Sequence, residues 1–439
     1  MTSLSRRGQK AAQTALRIDL EIYAEASQNE YDSKSNPDGT LPLNIAENCL
    51  NWHMLRDRFE QLTRDHSIPD WAASYTSMLG APPLRDAAAG FLERFLTKCP
   101  IEPGRIAFSA GATSIVEMSS FLLANPGDVA VFPTPCYPVY RQDIGNLPEV
   151  ERYDLVTHHE LSEISEGPIL SRRHLDRALA DIQGQGRTFR MLVLTNPDNP
   201  TGGIYSARQL ADVADWCIDH RIYLIVNEIY GLSLINTGHP AISGDYCDPT
   251  MFTSFASIVQ ERDSDFLHLW YAFSKDFGIS GFRVGLVYSH NTQFITAYEN
   301  SNLGHTVSGY TQWIMQLLIE DDDFIGSYIE RNQALLTESY AEVVTELRRL
   351  DIPYVPAGGS LFVWLDLSEF LEDATAEAEN RLWLELYHTT GILLTPGHGF
   401  GHSKRGQFRL VHTSVRQDAL EEAMRRLNRF VSGKRQDTR

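Results

Sequence analysis

Between about residue 80 and residue 290, short apolar runs alternate with stretches of helical spacing. Residues 84–98 (LRDAAAGFLERFLTK) and ARQLADVADWCIDH carry apolar positions at helical intervals. DVAVFPTP, MLVLTNP, IYLIVNEIY and FLHLWYAFSKDFG are buried-strand runs that break at Pro, Asn or Gly. IAFSAGATSIVEMSSFLLA reads as a short strand, a glycine turn and a helix. Strands separated by helices predict an α/β fold with a mainly parallel central sheet covered on both faces. Ligands of such sheets sit at the carboxyl ends of the strands. The last third reads differently: 311–350 is largely helical, GSLFVWLDL is a strand, and DALEEAMRRLNRFV is a closing helix. We therefore expect a large domain over 55–308 and a smaller α+β domain formed by 1–54 and 309–439. Residues 31–41 (YDSKSNPDGTL) are turn-rich and read as a loop.

The 439 residues carry 38 Lys+Arg against 57 Asp+Glu, a net charge of 38 − 57 = −19. So acidic a chain lacks the basic face that nucleic acid or an anionic membrane requires. Cys49, Cys99, Cys136, Cys217 and Cys247 are scattered without a CxxC pair, which indicates neither a disulfide framework nor a zinc cluster. No apolar run reaches the roughly 18 residues of a membrane helix. Residues 1–18 hold Arg6, Arg7, Lys10 and Arg17 and no acid before Asp19. They read as an exposed basic arm, with a mitochondrial transit peptide as the alternative; a cytoplasmic location is expected.

Chemistry-bearing residues gather at the strand ends. Ser274-Lys275 follows an apolar strand; a partly buried lysine there suits a Schiff base or a general base. Arg283 lies in GFRVG, where small neighbours let the guanidinium approach an anion. Gly111-Ala112-Thr113-Ser114 opens a helix, whose free N–H groups and dipole form a phosphate seat. Together these three suggest a phosphorylated, carbonyl-bearing cofactor. Asn196-Pro-Asp-Asn199, Asn227-Glu-Ile-Tyr230 and Pro133-Thr-Pro-Cys-Tyr137 end three further strands, the last placing an aromatic ring where a flat ligand could lie.

In order and spacing, SNPDG…NIAEN, GATS, PTPCYP, TNPDNPTGG, NEIY, SKDFGISGFRVG and GSLFVWLD resemble the pyridoxal 5′-phosphate (PLP) enzymes of fold type I. The resemblance is to the class I/II aminotransferase family and its 1-aminocyclopropane-1-carboxylate (ACC) synthase-like subgroup, over residues 20–425. It implies that Lys275 forms the cofactor aldimine and shuttles the proton. Arg283 with Gly111, Ala112 and Thr113 would hold the phosphate, and Tyr137 would stack on the ring. Asn199 and Tyr230 would bond the phenolic oxygen. Arg409 would pair with the substrate carboxylate, and Glu47 would face its distal part. Tyr75 would reach the phosphate of a neighbouring subunit, implying a homodimer with shared active sites.

Two positions depart from the family pattern. Asn227 stands where an Asp would keep the ring nitrogen protonated, and a neutral amide cannot stabilise that charge. Ala272 stands where a Ser would bind phosphate, so Ser274 or water is expected to substitute. A weakened electron sink tilts the expected reaction toward elimination at a carbon–sulfur bond. Aminotransfer, and ACC synthesis from a sulfonium substrate, are the alternatives; outside that class stands a PLP-fold protein without turnover. His398 and His402 are expected in a solvated loop, Cys49 and Cys136 as small apolar filler, and Trp364 in the small-domain core. The glycines near Lys275 do not match GxGxxG, which disfavours a nicotinamide dehydrogenase.

Overall fold

Strands of Val, Ile and Leu with few polar interruptions must be covered on both faces, and they are. The computed structural model describes residues 3–13, 19–165 and 167–437. Its main sheet has seven strands: β1 (Ile106–Ser109), β2 (Val129–Thr134), β3 (Glu151–Val156), β4 (Phe189–Thr195), β5 (Tyr223–Asn227), β6 (Leu267–Ala272) and β7 (Gly285–Ser289). Their spatial order is β1-β7-β6-β5-β4-β2-β3. Only β7 runs against the others. In β5, Leu224 and Val226 join one core with Leu210 and Trp216, whereas Ile225 joins a second on the opposite face with Ile115 and Val193. The strands at 151–156 and 285–289 had no counterpart in the sequence reading.

The covering helices include α1 (Ala112–Leu123), α2 (Tyr140–Gly145) and α3 (Ala207–His220). Helix α3 begins with a capping box: Ser206 Oγ accepts from Gln209 N at 3.2 Å, and Gln209 Oε1 accepts from Ser206 N at 2.9 Å. The one-turn helix α4 (Phe273–Asp276) carries Lys275 directly off the end of β6.

The C-terminal third contributes a four-stranded antiparallel sheet. Its strands β8 (Tyr354–Val355), β9 (Phe362–Asp366), β10 (Thr395–Pro396) and β11 (Gln407–Val411) lie in the order β10-β11-β9-β8. Helices α5 (Asp322–Arg349), α6 (Ala376–Thr390) and α7 (Gln417–Asp437) cover it. Leu41–Pro42 pairs in parallel with Ile392–Leu393, which ties the N-terminal segment to this half. Ile325 and Tyr328 of α5 pack into a core of the large sheet, and Tyr340, Val344 and Leu347 into that of the small one. One helix therefore serves both.

Three sequence expectations change. His402 is buried at 2% exposure, its ring 4.9 Å from that of His158, because the 396–406 loop folds back onto the end of β3. Cys49 is exposed, its thiol donating to the Ser414 carbonyl, and so is not core filler. Trp364 is fully buried, but in a small cluster with Phe400, Leu161 and Ile164 between the two sheets. Residues 6–13 form an exposed helix, while the rest of the basic arm (1–2 and 14–18) lies outside the described residues. Among the described residues, no helix is long and apolar enough to cross a membrane.

Candidate active site

Register brings the strand-end motifs together. Thr195 of β4 lies opposite Asn227 of β5, which lies opposite Trp270 of β6. The loops beyond these ends enclose a cleft of about 540 Å³. Ala112, Thr113, Tyr137, Asn199, Asn227, Tyr230, Ser274, Lys275, Arg283 and Glu47 all line it.

At one end is an anion seat. Gly111 has φ +85 and ψ 175, a conformation nearly confined to glycine, and α1 starts immediately after it. The first N–H groups of α1 are therefore turned to the cleft with the positive end of the helix dipole. Arg283 lies over the same glycine, donating Nη1 to the Ser280 carbonyl (3.0 Å) and Nη2 to the Ala110 carbonyl (3.3 Å). A Cβ on Gly111 would stand 2.5 Å from the guanidinium. Close backbone approach, helix N–H groups and one Arg form a donor set that fits a phosphate. Ser274 is buried beside it, on the cleft wall.

Lys275 Nζ donates to the Ala46 carbonyl. The 44–48 segment packs hard on the lysine loop: Gly278 has no room for a Cβ, which would fall 2.2 Å from the Asn48 carbonyl oxygen. Glu47 sits at the rim, both carboxylate oxygens within reach of Ser280 Oγ (2.7 and 2.8 Å). Asn199 Nδ2 donates to Tyr230 Oη at 3.5 Å, and Asn199 Oδ1 accepts from Arg409 Nη1 at 3.1 Å. Arg409 is wholly buried, donates Nη2 to the Asn44 carbonyl (2.7 Å), and lies between the rings of Phe362 and Phe400. The small sheet thus delivers its arginine to the Asn199 side of the cleft. Tyr75 is not brought in; it stands 90% exposed on the surface.

The opposite end holds residues that the sequence reading missed. Asn227 Nδ2 donates to Tyr140 Oη at 2.9 Å, and its Oδ1 accepts from Ile229 N at 3.2 Å. Tyr140 packs against Phe132 and meets Tyr137 edge-on. Burial pushes its phenol far above the usual range. Asp143, one helical turn on, also lines the cleft; burial, then the nearby Glu117, push its carboxyl up to about 7. The available signal was the second tyrosine three residues after Tyr137, opening a short helix whose next turn carries Asp143.

Two further carboxylates hold the walls from behind. Glu228, beside Asn227, accepts from Ser254 Oγ and Phe255 N, and burial pushes it up to about 8. Asp276, beside Lys275, accepts from Ser233 Oγ, Leu232 N and Tyr271 Oη, and burial pushes it up to about 7. Asp276 anchors the loop that follows Tyr230, and Glu228 the chain just before the helix at Ala256–Arg262. No group of three His, Cys, Asp or Glu among the described residues is placed to hold a metal.

Comparison with known proteins shows the family and the fold. The sequence model of the family described as Aminotransferase class I and II matches residues 39–427. The chain is similar to 1-aminocyclopropane-1-carboxylate synthase 2 of Oryza sativa subsp. japonica, 29% identical over 420 residues, covering 92% of this chain and 82% of that protein. It is similar to 1-aminocyclopropane-1-carboxylate synthase 7 of Arabidopsis thaliana, 29% identical over 423 residues, covering 93% and 90%. Among solved structures, Thermus thermophilus aspartate aminotransferase with maleate superposes with a TM-score of 0.77 at 20% identity, covering 98% of this chain and 100% of that one. That likeness shows the fold.

Proposed function

Since the chain belongs to the class I and II aminotransferase family, and is a PLP-dependent enzyme of fold type I, we propose that it eliminates a sulfur leaving group from an α-amino acid. Bound PLP supplies a carbonyl for the substrate amine and a ring that accepts electrons from Cα. In this reading Arg283 and the N–H groups at Gly111, Ala112 and Thr113 hold the phosphate, assisted by Ser274. Tyr137 covers the ring face, and Tyr230 and Asn199 bond the phenolic oxygen. Arg409 binds the substrate carboxylate through two parallel hydrogen bonds. Lys275 Nζ takes the proton from Cα, for which it must leave the Ala46 carbonyl. Tyr75 completes the phosphate site of a second copy, so the working unit is a homodimer.

The observation that carries the choice of reaction is that the residue lining the cleft at position 227 is an amide, which this reading sets against the ring. Aminotransfer needs negative charge to remain on the ring long enough for a new carbon to be protonated. Elimination drains the same charge onto the departing sulfur. An uncharged partner at the ring favours the second path. The test is to incubate the PLP-loaded protein with cysteine S-conjugates and no keto acid acceptor. Many equivalents of pyruvate and thiol per site support elimination; one equivalent or less, with pyridoxamine phosphate left behind, overturns it. Asn227→Asp should raise transamination. A sharp rise in C–S cleavage with no gain in transamination would refute the role given to Asn227.

A second reading is favoured by Glu47. Its carboxylate at the rim suits a cationic sulfonium, and the relatives named above are ACC synthases. S-adenosylmethionine in the same assay, with detection of the cyclopropane amino acid, separates it from the first.

A further inference from the structure

We propose that Tyr140 is a positioning residue: it fixes the Asn227 amide so that an N–H meets the ring nitrogen of PLP, which is thereby held unprotonated. The inference deepens the reading above and rests on its placement of Asn227 at the ring.

Amide orientation follows from the partners. Oδ1 of Asn227 accepts from the backbone N–H of Ile229, a group that can only donate. Turning the amide over would set donor against donor, so Nδ2 is the atom on the other side. One of its hydrogens goes to Tyr140 Oη. The second is left for the cleft, which Asn227 lines. Tyr140 accepts this bond as a neutral phenol, because burial opposes its ionisation. Its oxygen lies 3.4 Å from Thr195 Oγ1, a hydroxyl that can take the phenol hydrogen. The tyrosine ring is stacked on Phe132 (4.9 Å, 28°) and meets the Tyr137 ring edge-on (5.4 Å, 85°), so the acceptor cannot swing away. A protonated ring nitrogen would point N–H at N–H. An unprotonated one supplies the missing acceptor.

Asp143 is the rival influence. It shares a face of α2 with Tyr140, is 7% exposed, and has no hydrogen-bond partner for its carboxyl among the described residues. Glu117 faces it from α1. An ionised Asp143 would draw a proton onto the ring, and the experiment must separate the two.

The apoprotein is loaded with PLP labelled with ¹⁵N in the ring, and the nitrogen shift is read near neutral pH. An unprotonated shift in the wild type, moved to the protonated value by Asn227→Asp and unmoved by Asp143→Asn, supports the proposal. A protonated wild type overturns it; if Asp143→Asn then abolishes protonation, Asp143 is the counterion. A second readout is affinity for PLP against the analogue with C–H in place of the ring nitrogen. Leaving the buried amide donor unmatched should cost roughly tenfold in affinity. Tyr140→Phe should narrow that preference, and Tyr140→His, which retains an acceptor, should restore it. An unchanged preference in Tyr140→Phe overturns the role of Tyr140; should that variant not fold, Asn227→Asp carries the test. An unprotonated ring with no thiol released would sink the elimination reading and leave this inference standing.

Discussion

Arg409 is wholly buried and fixed by Asn199, Asn44 and two aromatic rings before any substrate arrives. Its planar fork is thus oriented in advance, which a flexible ammonium cannot reproduce. Arg409→Lys should therefore raise KM for the amino acid far more than it lowers kcat. Loss of one charge-assisted hydrogen bond at about 1.5–3 kcal/mol implies a fall in kcat/KM of roughly 10- to 100-fold, measurable by steady-state kinetics. At this scale much of the site was legible. Lys275, Arg283, Asn199, Tyr230 and Asn227 sit in short motifs at strand ends, and strand ends converge in a parallel sheet. Tyr140, Asp143 and Ser280 were not legible. Their importance arises from contacts across α2 and across the 44–48 and 280–283 loops, which no local spacing records.

The anion seat is a property of an element. Helix α1 can point its N–H groups into the cleft only because Gly111 turns the chain from β1 through a conformation nearly closed to other residues. Gly111→Ala should cost about 1–3 kcal/mol from backbone strain alone. It should also push the Arg283 guanidinium aside, weakening PLP retention in a dialysis or fluorescence titration more than it lowers Tm. Strands β4, β5 and β6 were readable because strands buried on both faces are nearly uniform in apolar content. β3 and β7 were missed for opposite reasons. β3 is an edge strand, ERYDLV, half exposed and mixed in polarity. β7 begins two residues after Arg283 and looked like part of the glycine-rich turn. The passage from one core to the other was invisible too, since it happens inside α5, a helix with no proline to mark it.

Across the whole molecule, the two sheets meet along a seam near the cleft. Cys136 N donates to the Phe400 carbonyl at 2.9 Å, and Lys404 pairs with Glu160 at 2.7 Å. His158 and His402 face each other at the same seam. Burial pushes His158 down to about 4 from 6.5 and lowers His402 as well, with the charge of His402 adding to the shift in His158. At these two histidines the unfolded chain takes up protons between pH about 6.5 and about 4 that the folded chain refuses, so their contribution to stability falls across that window, against the opposite contribution of the buried carboxyls Asp143, Glu228 and Asp276. Tm measured from neutral pH down to about 4 should show His158→Phe gaining stability relative to the wild type as the pH falls.

Helix α5 gives this molecule the mechanics of a beam built into two walls. Its first turns are clamped in one core and its last turns, from Tyr340 on, in the other. Loosening either clamp loads the other, so heat should melt both halves in a single endotherm. A proline placed midway, as in Ala334→Pro, should cut the beam. Calorimetry should then resolve two transitions where there was one.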